Sequence, residues 1–471
     1  MSINVEFWGA ANEVTGSCHL ITFGNVKILV DCGLIQGSPA DERRNREPFP
    51  FSPEDIDAVL LTHAHLDHSG RLPLLFKYGF RGPVYAHSAT RDLCCIMLRD
   101  AAYLNEKEAE WENRKRSRKH MELISPLYDR QDVERVIPNL RPLEYSTKTP
   151  IIAGLDVCFN DAGHILGSSI IECFVNDGKC RRKLVFSGDL GHLNAPILRD
   201  PEKIRDADLV VMESTYGNRL HRDWRSTWDE MKAIITSAGH LKGNLLIPAF
   251  TIGRTQELLY AFAKNYETWR MARWQIFLDS PMAIAATDVY SRYVSLFDAD
   301  ARMINSGQDQ LFSLSNLHYS QTAEQSMRIN NIRSGAIIIA GSGMCTGGRI
   351  RHHLKHNIWR RECHVLIVGF QARGTIGRAL VEGARNIRLW GEWIRVSAHV
   401  HTVGGFSAHA DSNGLQQWYG HFNNRPPVAL VHGEPESIEA LVASLRLMNA
   451  ERVIIPRMGE KVDLTGSGWS K

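Results

Sequence analysis

No run of apolar residues in this 471-residue sequence approaches the ~18 that a membrane-spanning helix needs, so no membrane partner is expected. The opening, MSINVEFWGAANEV, lacks the basic and then apolar pattern of a secretory signal, and a cytosolic, cytoplasmic location is expected. Cysteine is scarce and scattered: the nine residues include one adjacent pair, Cys94-Cys95, and no C-x-x-C, so neither a disulfide framework nor a cysteine zinc site is indicated. Internal repeats and low-complexity tracts are lacking too. The formal net charge is only +3, which does not demand a nucleic-acid partner and does not exclude one whose contacts line a cleft.

What is present is the composition of a large globular enzyme. Hydrophobic residues make up 44% and charged residues 23%, enough for a sizeable core, and the length calls for two or three domains. The most charged stretch, NEKEAEWENRKRSRK from Asn105 to Lys119, runs from acidic to basic as a solvated helix matched to its own macrodipole does.

The densest chemical signal is LTHAHLDHSG, residues 61–70, where His63, His65, Asp67 and His68 fall within six positions. The apolar run Ala58-Val59-Leu60-Leu61 before it reads as a buried strand, and Leu72-Pro73-Leu74-Leu75-Phe76 after it starts a helix, so the cluster sits on a strand-to-helix loop. His63 and His65, alternate residues leaving a strand, face one point, while Asp67 and His68 on the next turn face a second. Imidazole and carboxylate are ligands for zinc-like ions, and two such ions ~3.5–4 Å apart form a hydrolytic site. Farther along, His164 in FNDAGHILGSS completes the set of His63 and His65, and Asp189 in LVFSGDLG stands where one carboxylate can serve both ions. Asp31 in ILVDCG is placed to hydrogen-bond a ligand histidine and hold its tautomer.

Short strands ending in glycine, acid or histidine dominate the first portion, as in a layered α/β hydrolase. From about Asn218 the pattern becomes strand, glycine-bearing turn and helix, seen in NLLIPAFTIGRTQELLYAFA, GAIIIAGSGMCTGGRIRHHL and HVLIVGFQARGTIGRALVEG. Ligand-type residues return after about Arg395 in HTVGGFSAHAD and VALVHGE. The expected organisation is therefore one domain formed by residues 1–217 and 396–471, interrupted by an inserted α/β domain over residues 218–395.

The run Thr62-His63-Ala64-His65-Leu66-Asp67-His68, followed by His164 and Asp189 and preceded by Asp31, resembles the metallo-β-lactamase superfamily. Glu213 in MESTYGN, His409 in FSAHAD and His432 in LVHGE resemble the additional motifs of its β-CASP nucleases, above all the endonuclease of pre-mRNA 3′-end cleavage and its compact relatives. The resemblance implies a four-layered αββα fold with an inserted β-CASP domain and an active site in the cleft between them. It assigns His63, His65 and His164 to one zinc and Asp67, His68 and His432 to the other, with Asp189 bridging. Such an all-histidine-and-carboxylate site also accepts manganese or iron. A histidine at position 432 is similar to the RNA-cleaving members, whereas the DNA-cleaving branch has an aliphatic residue there.

The reaction expected is two-metal hydrolysis of single-stranded RNA, endonucleolytic, leaving 3′-hydroxyl and 5′-phosphate ends. Asp67 and Asp189 hold the reacting centre, and His409 paired with Glu213 is the expected general acid. In AGSGMCTGGR, from Ala340 to Arg349, small residues before a helix leave backbone N–H groups open to phosphate. Ser342, Gly343, Thr346, Gly347 and Gly348 are the candidate contacts there, and Arg254, Arg373 and Arg378 lie at comparable helix starts. The competing readings are a small-molecule hydrolase, a DNA nuclease and an inactive RNA-binding subunit. A homodimer is open to any of them.

Overall fold

The computed structural model describes residues 2–306, 311–372, 374–450 and 452–466, which fall into two compact units. One comprises Met1–Leu193, Asp200–Leu220 and His409–Lys471, and the other Asn194–Arg199 and His221–Ala408.

The first unit is built on two seven-stranded sheets. One runs in the order Lys461–Asp463, Ile3–Phe7, His19–Phe23, Val26–Val30, Ala58–Leu60, Val84–His87, Leu140–Leu143. The other runs Val453–Ile454, Val428–Val431, Leu209–Glu213, Arg181–Phe186, Ser169–Asn176, Leu155–Asp161, Thr149–Ile152. Their facing sides share a core in which Val5, Ile21, Val30 and Leu60 meet Val157, Ile171, Leu184 and Val431. Strand Leu209–Glu213 shows why some strands are apolar on both faces. Leu209 and Val211 enter the core between the sheets, while Val210 and Met212 point the other way onto Leu415, Tyr419, Leu441 and Leu445 of helices Ser412–Gly420 and Pro435–Leu447. The long helix Ser88–Arg118 lies against Val84–His87 and Leu140–Leu143 of the first sheet, together with Arg130–Val136. The result is helix, sheet, sheet, helix, the expected four layers. In Ser88–Arg118 burial stops at Ala109, so its charged end is solvated.

The second unit centres on a six-stranded sheet in the order Leu317–Tyr319, Gln275–Leu278, Ala336–Ala340, Leu245–Pro248, His364–Ile367, His399–Thr402, every pair parallel. The three strand-turn-helix stretches lead from Leu245–Pro248 to Arg254–Lys264, from Ala336–Ala340 to Ile350–Asn357 and from His364–Ile367 to Ile376–Val381. Strand His399–Thr402 pairs with His364–Ile367, so this unit runs on past residue 395, where the return of ligand-type residues suggested a boundary.

Candidate metal centre

Strand Ala58–Leu60 ends three positions before His63, and the loop is held from beneath by Asp31. The Thr62 backbone N–H and hydroxyl donate to the two carboxylate oxygens of Asp31, each at 2.8 Å, and Asp31 Oδ2 lies 2.7 Å from His68 Nδ1. A carboxylate only accepts, so Nδ1 of His68 carries a proton and its Nε2 is the atom turned inward, toward Asp189. Burial works against a charged His68, but Asp189 and then Asp31 outweigh it and hold the imidazole well above its ordinary value, so a bound cation takes the place of the proton on Nε2. His432 is fixed likewise. Thr215 donates its hydroxyl proton to the His432 carbonyl at 3.1 Å, which leaves its oxygen to accept from His432 Nδ1 at 3.0 Å. Nε2 of His432 then faces Nε2 of His68 at 3.3 Å.

Two ring nitrogens this close repel unless a proton lies between them or a cation beside them. Asp67 Oδ2 stands 3.4 Å from His432 Nε2, and Asp189 Oδ1 stands 3.3 Å from His68 Nε2. On the other side of Asp189, its Oδ2 is 3.5 Å from His63 Nε2 and 3.6 Å from His164 Nε2. His65 Nδ1 is 3.1 Å from His63 Nε2 and 3.2 Å from His164 Nε2. Donors on one tetrahedral zinc at ~2.0–2.1 Å stand roughly 3.3 Å apart, so the spacing of both sets fits such an ion. The two sets, His63-His65-His164-Asp189 and Asp67-His68-His432, are groups of converging ligand atoms that share no member, yet Asp189 turns one oxygen to each.

Electrostatics point the same way. Among the described residues no lysine or arginine pairs with the buried Asp31, Asp189 or Glu213 or with the half-buried Asp67, so their charge is left to the surrounding histidines and to a bound cation, and a buried carboxylate without such compensation is strongly destabilising. Burial pushes the Asp189 carboxyl up, but His432, His68 and His63 around it outweigh that and hold it well below the usual carboxylate range. Burial and the neighbouring His68 hold the His63 imidazole well below its ordinary value, so it is present as the neutral ligand form.

Beside this cage His409 turns Nδ1 to both oxygens of Glu213, at 3.2 and 3.3 Å, and 3.9 Å from Asp189 Oδ2. Glu213 is buried and anchored by backbone N–H groups of Leu190 at 2.7 Å and Thr215 at 3.3 Å, and the Ser187 hydroxyl accepts the N–H of Glu213 itself. An antiparallel bridge between Gly191 and His409 fixes the loop carrying the imidazole, and the Tyr216 ring stands edge-on to it with centroids 6.0 Å apart. Burial works against a charged His409, but Glu213 and then Asp189 more than offset this and raise its pKa to about 9. Thr62, Thr215, Ser187 and Tyr216 were not singled out from the sequence, although all four stand inside the motifs quoted above.

The residues proposed to grip a strand fare differently. In the loop after Ala336–Ala340, the Ser342 hydroxyl accepts the backbone N–H groups of Thr346 at 3.1 Å and Gly347 at 3.2 Å, so these two donors are satisfied within the loop and not presented to phosphate. Gly348, at φ +66, is required because a Cβ there would lie 2.1 Å from the Gly341 carbonyl, and a Cβ on Gly343 would press on Phe250. Arg254 is a correction: it is buried, ion-paired with Glu257 and donating to the Phe406 carbonyl at 2.7 Å, so its charge is committed inside the unit. Arg378 pairs with Glu382 one helical turn on, at 2.6 Å. Arg373 lies outside the described residues.

Residues 20–200 match the family described as metallo-beta-lactamase superfamily domain, residues 255–380 the Beta-Casp domain, and residues 393–456 the Zn-dependent metallo-hydrolase RNA specificity domain. The chain is 40% identical over 455 residues to Ribonuclease TTHA0252 of Thermus thermophilus, covering 97% of this chain and 98% of that one. It is 30% identical over 460 residues to Transcription termination factor FttA of Methanosarcina mazei, covering 94% of this chain and 69% of that one. A crystal structure of a protein of unknown function from Enterococcus faecalis V583 superposes with TM-score 0.59 at 13% identity, covering 98% of this chain and all of that one, which is a likeness of fold alone.

Proposed function

The chain belongs to the β-CASP branch of the metallo-β-lactamase superfamily and is a metal-dependent RNA hydrolase, and from that premise we propose that it cuts single-stranded RNA internally with two zinc-like ions, leaving 3′-hydroxyl and 5′-phosphate ends. The observation that carries the reading is the cage of converging ligand atoms, in which imidazole nitrogens and carboxylate oxygens face one another and Asp189 turns one oxygen to each set. His63, His65 and His164 would hold one ion, and Asp67, His68 and His432 the other. When bound, the pair supplies a water acidified to about neutral and positive charge against the phosphate oxygens.

The remaining chemistry belongs to side chains. Glu213 orients His409 and favours its charged form. With Nδ1 turned to Glu213, the proton to be handed to the leaving 3′ oxygen is the one on Nε2. His432 speaks for RNA over DNA by the resemblance already given, and the seven proposed ligands, all present, speak against an inactive subunit. A metal-binding role for His409 is the one rival assignment with geometric support, because Asp189, Glu213 and His409 also converge.

Metal analysis of the purified protein should find close to two ions per chain, and a chelator should abolish cleavage in a way that re-added zinc or manganese restores. One ion per chain in a folded, active protein would sink the two-metal reading. The identity of the nucleophile is a separate test. Since water and not the RNA's own 2′-hydroxyl attacks, a substrate with a single 2′-deoxy nucleotide at the scissile position should still be cut. Mass spectrometry of the ends should then show 3′-hydroxyl and 5′-phosphate. A 2′,3′-cyclic phosphate, or complete blockage by that substitution, overturns hydrolysis in favour of internal transesterification.

A further inference from the structure

The second unit carries, apart from its parallel sheet, a two-stranded antiparallel hairpin formed by Asn386–Leu389 and Glu392–Arg395. An isolated two-stranded ribbon is marginal in water, and this one is stabilised on one face only: Ile387 and Leu389 are buried and Ile394 packs beside them in the core with Leu354, Val365 and Leu380. The two-residue period puts Arg388 and its cross-strand partner Trp393 on the opposite face, together with Arg395. Trp393 is 71% exposed. At the hairpin turn Trp390, 49% exposed, lies against the His352 ring at 4.5 Å and under the Arg351 guanidinium at 4.7 Å, both from helix Ile350–Asn357.

The charge around the hairpin is one-sided. Among the described residues Arg351, Arg388 and Arg395 make no ion pair, and Glu392, at the hairpin's end, is matched by Lys355 at 2.8 Å. Arg385, also without an ion pair among the described residues, has the parity of Ile387 and lines a groove of about 380 Å³ with Val396 at the foot of the hairpin. Two exposed indoles set among unpaired guanidiniums are the pairing that single-stranded nucleic acid uses, with bases stacked on the rings and phosphates on the cations. A second copy of the chain fits poorly. A twofold contact would press this cationic patch against itself with no acidic complement.

We propose that the outward face of the hairpin, with the adjoining end of helix Ile350–Asn357, is a binding surface for single-stranded RNA in which Trp393 and Trp390 stack bases and Arg351, Arg388 and Arg395 contact phosphates. It rests on the reading that RNA is the substrate and adds to it where the second unit holds that RNA.

The test compares Trp393→Ala, Trp393→Phe and the double variant Arg388→Gln/Arg395→Gln with the unaltered chain, on a single-stranded RNA of thirty nucleotides and on a pentanucleotide around the same cut. For the long RNA, Trp393→Ala should raise KM on the order of 10-fold with kcat unchanged, and Trp393→Phe should restore most of the loss. The double variant should lower the slope of log affinity against log salt by roughly 1.4, two phosphate contacts on a single strand. The pentanucleotide should respond less to every variant, and sedimentation should show no change in oligomeric state. Equal KM for the long RNA in all proteins overturns the proposal, as does a change of oligomeric state in place of a change in RNA affinity. If the unaltered chain neither binds nor cuts RNA, the functional reading falls and this surface with it, whereas cutting that is indifferent to the variants removes the surface alone.

Discussion

Asp189→Asn should reduce cleavage at least ~10³-fold, the scale on which loss of a single preorganised electrostatic contact is felt, and should leave the protein with fewer than two bound ions. The carboxylate is almost fully buried, and its oxygens stand 3.5 and 3.6 Å from His63 and His164 on one side and 3.3 Å from His68 on the other. Asparagine keeps the shape but removes the charge and replaces one acceptor by a donor. The histidines that hold Asp189 well below the usual carboxylate range lose that charge, so the variant forfeits the stability that the ionised carboxylate contributes near neutral pH. Activity and metal content fall, and the melting temperature of the metal-free variant falls below that of metal-free unaltered protein. Retained cleavage with two ions per chain would show that Asp189 does not serve both sets.

The parts of this site that were legible in the sequence are those in which one backbone segment supplies several ligands. His63, His65, Asp67 and His68 identify themselves by density, and a strand before and a helix after place them on a loop. His432 is different. It stands 364 residues from His68, alone at the end of strand Val428–Val431, and nothing local separates it from a turn residue, so only the family resemblance reached it. Its ligand orientation depends on a positive φ of 54° and on Thr215, 217 residues away, which no spacing rule connects. In the second unit the central strands were readable because AIIIA and HVLI are buried on both faces. Gln275–Leu278 and Leu317–Tyr319 are short and partly exposed, and their sequences carry no such signal. Strand His399–Thr402 forms the edge of its sheet, and its His401 opened the stretch in which ligand-type residues looked to return. Arg254 shows the limit for charge: a cation at a helix start reads as available, and only tertiary structure reveals the Phe406 carbonyl and the burial that take it out of reach.

His409→Ala should slow cleavage by ~10²–10⁴-fold, the range of general acid catalysis, while the protein keeps its full complement of metal. The prediction separates the two roles the geometry allows. As an acid, His409 stands 3.9 Å from Asp189 and packs its ring on that of His164 with centroids 4.5 Å apart, but its closest carboxylate is that of Glu213 at 3.2 Å, so its removal leaves both ligand sets whole. As a ligand, its loss would take an ion with it. Glu213→Gln weakens the same proton transfer by withdrawing the negative charge that favours the protonated imidazole. Because that effect acts through His409, the double variant should be little worse than His409→Ala alone, far from the product of the two losses. A substrate whose leaving 3′ oxygen is replaced by sulfur needs little protonation, so it should recover most of the lost rate in His409→Ala but not in Asp189→Asn. Metal loss in His409→Ala, or no recovery with the sulfur substrate, would move the acid role to another group and leave Glu213 and His409 as part of the metal cage.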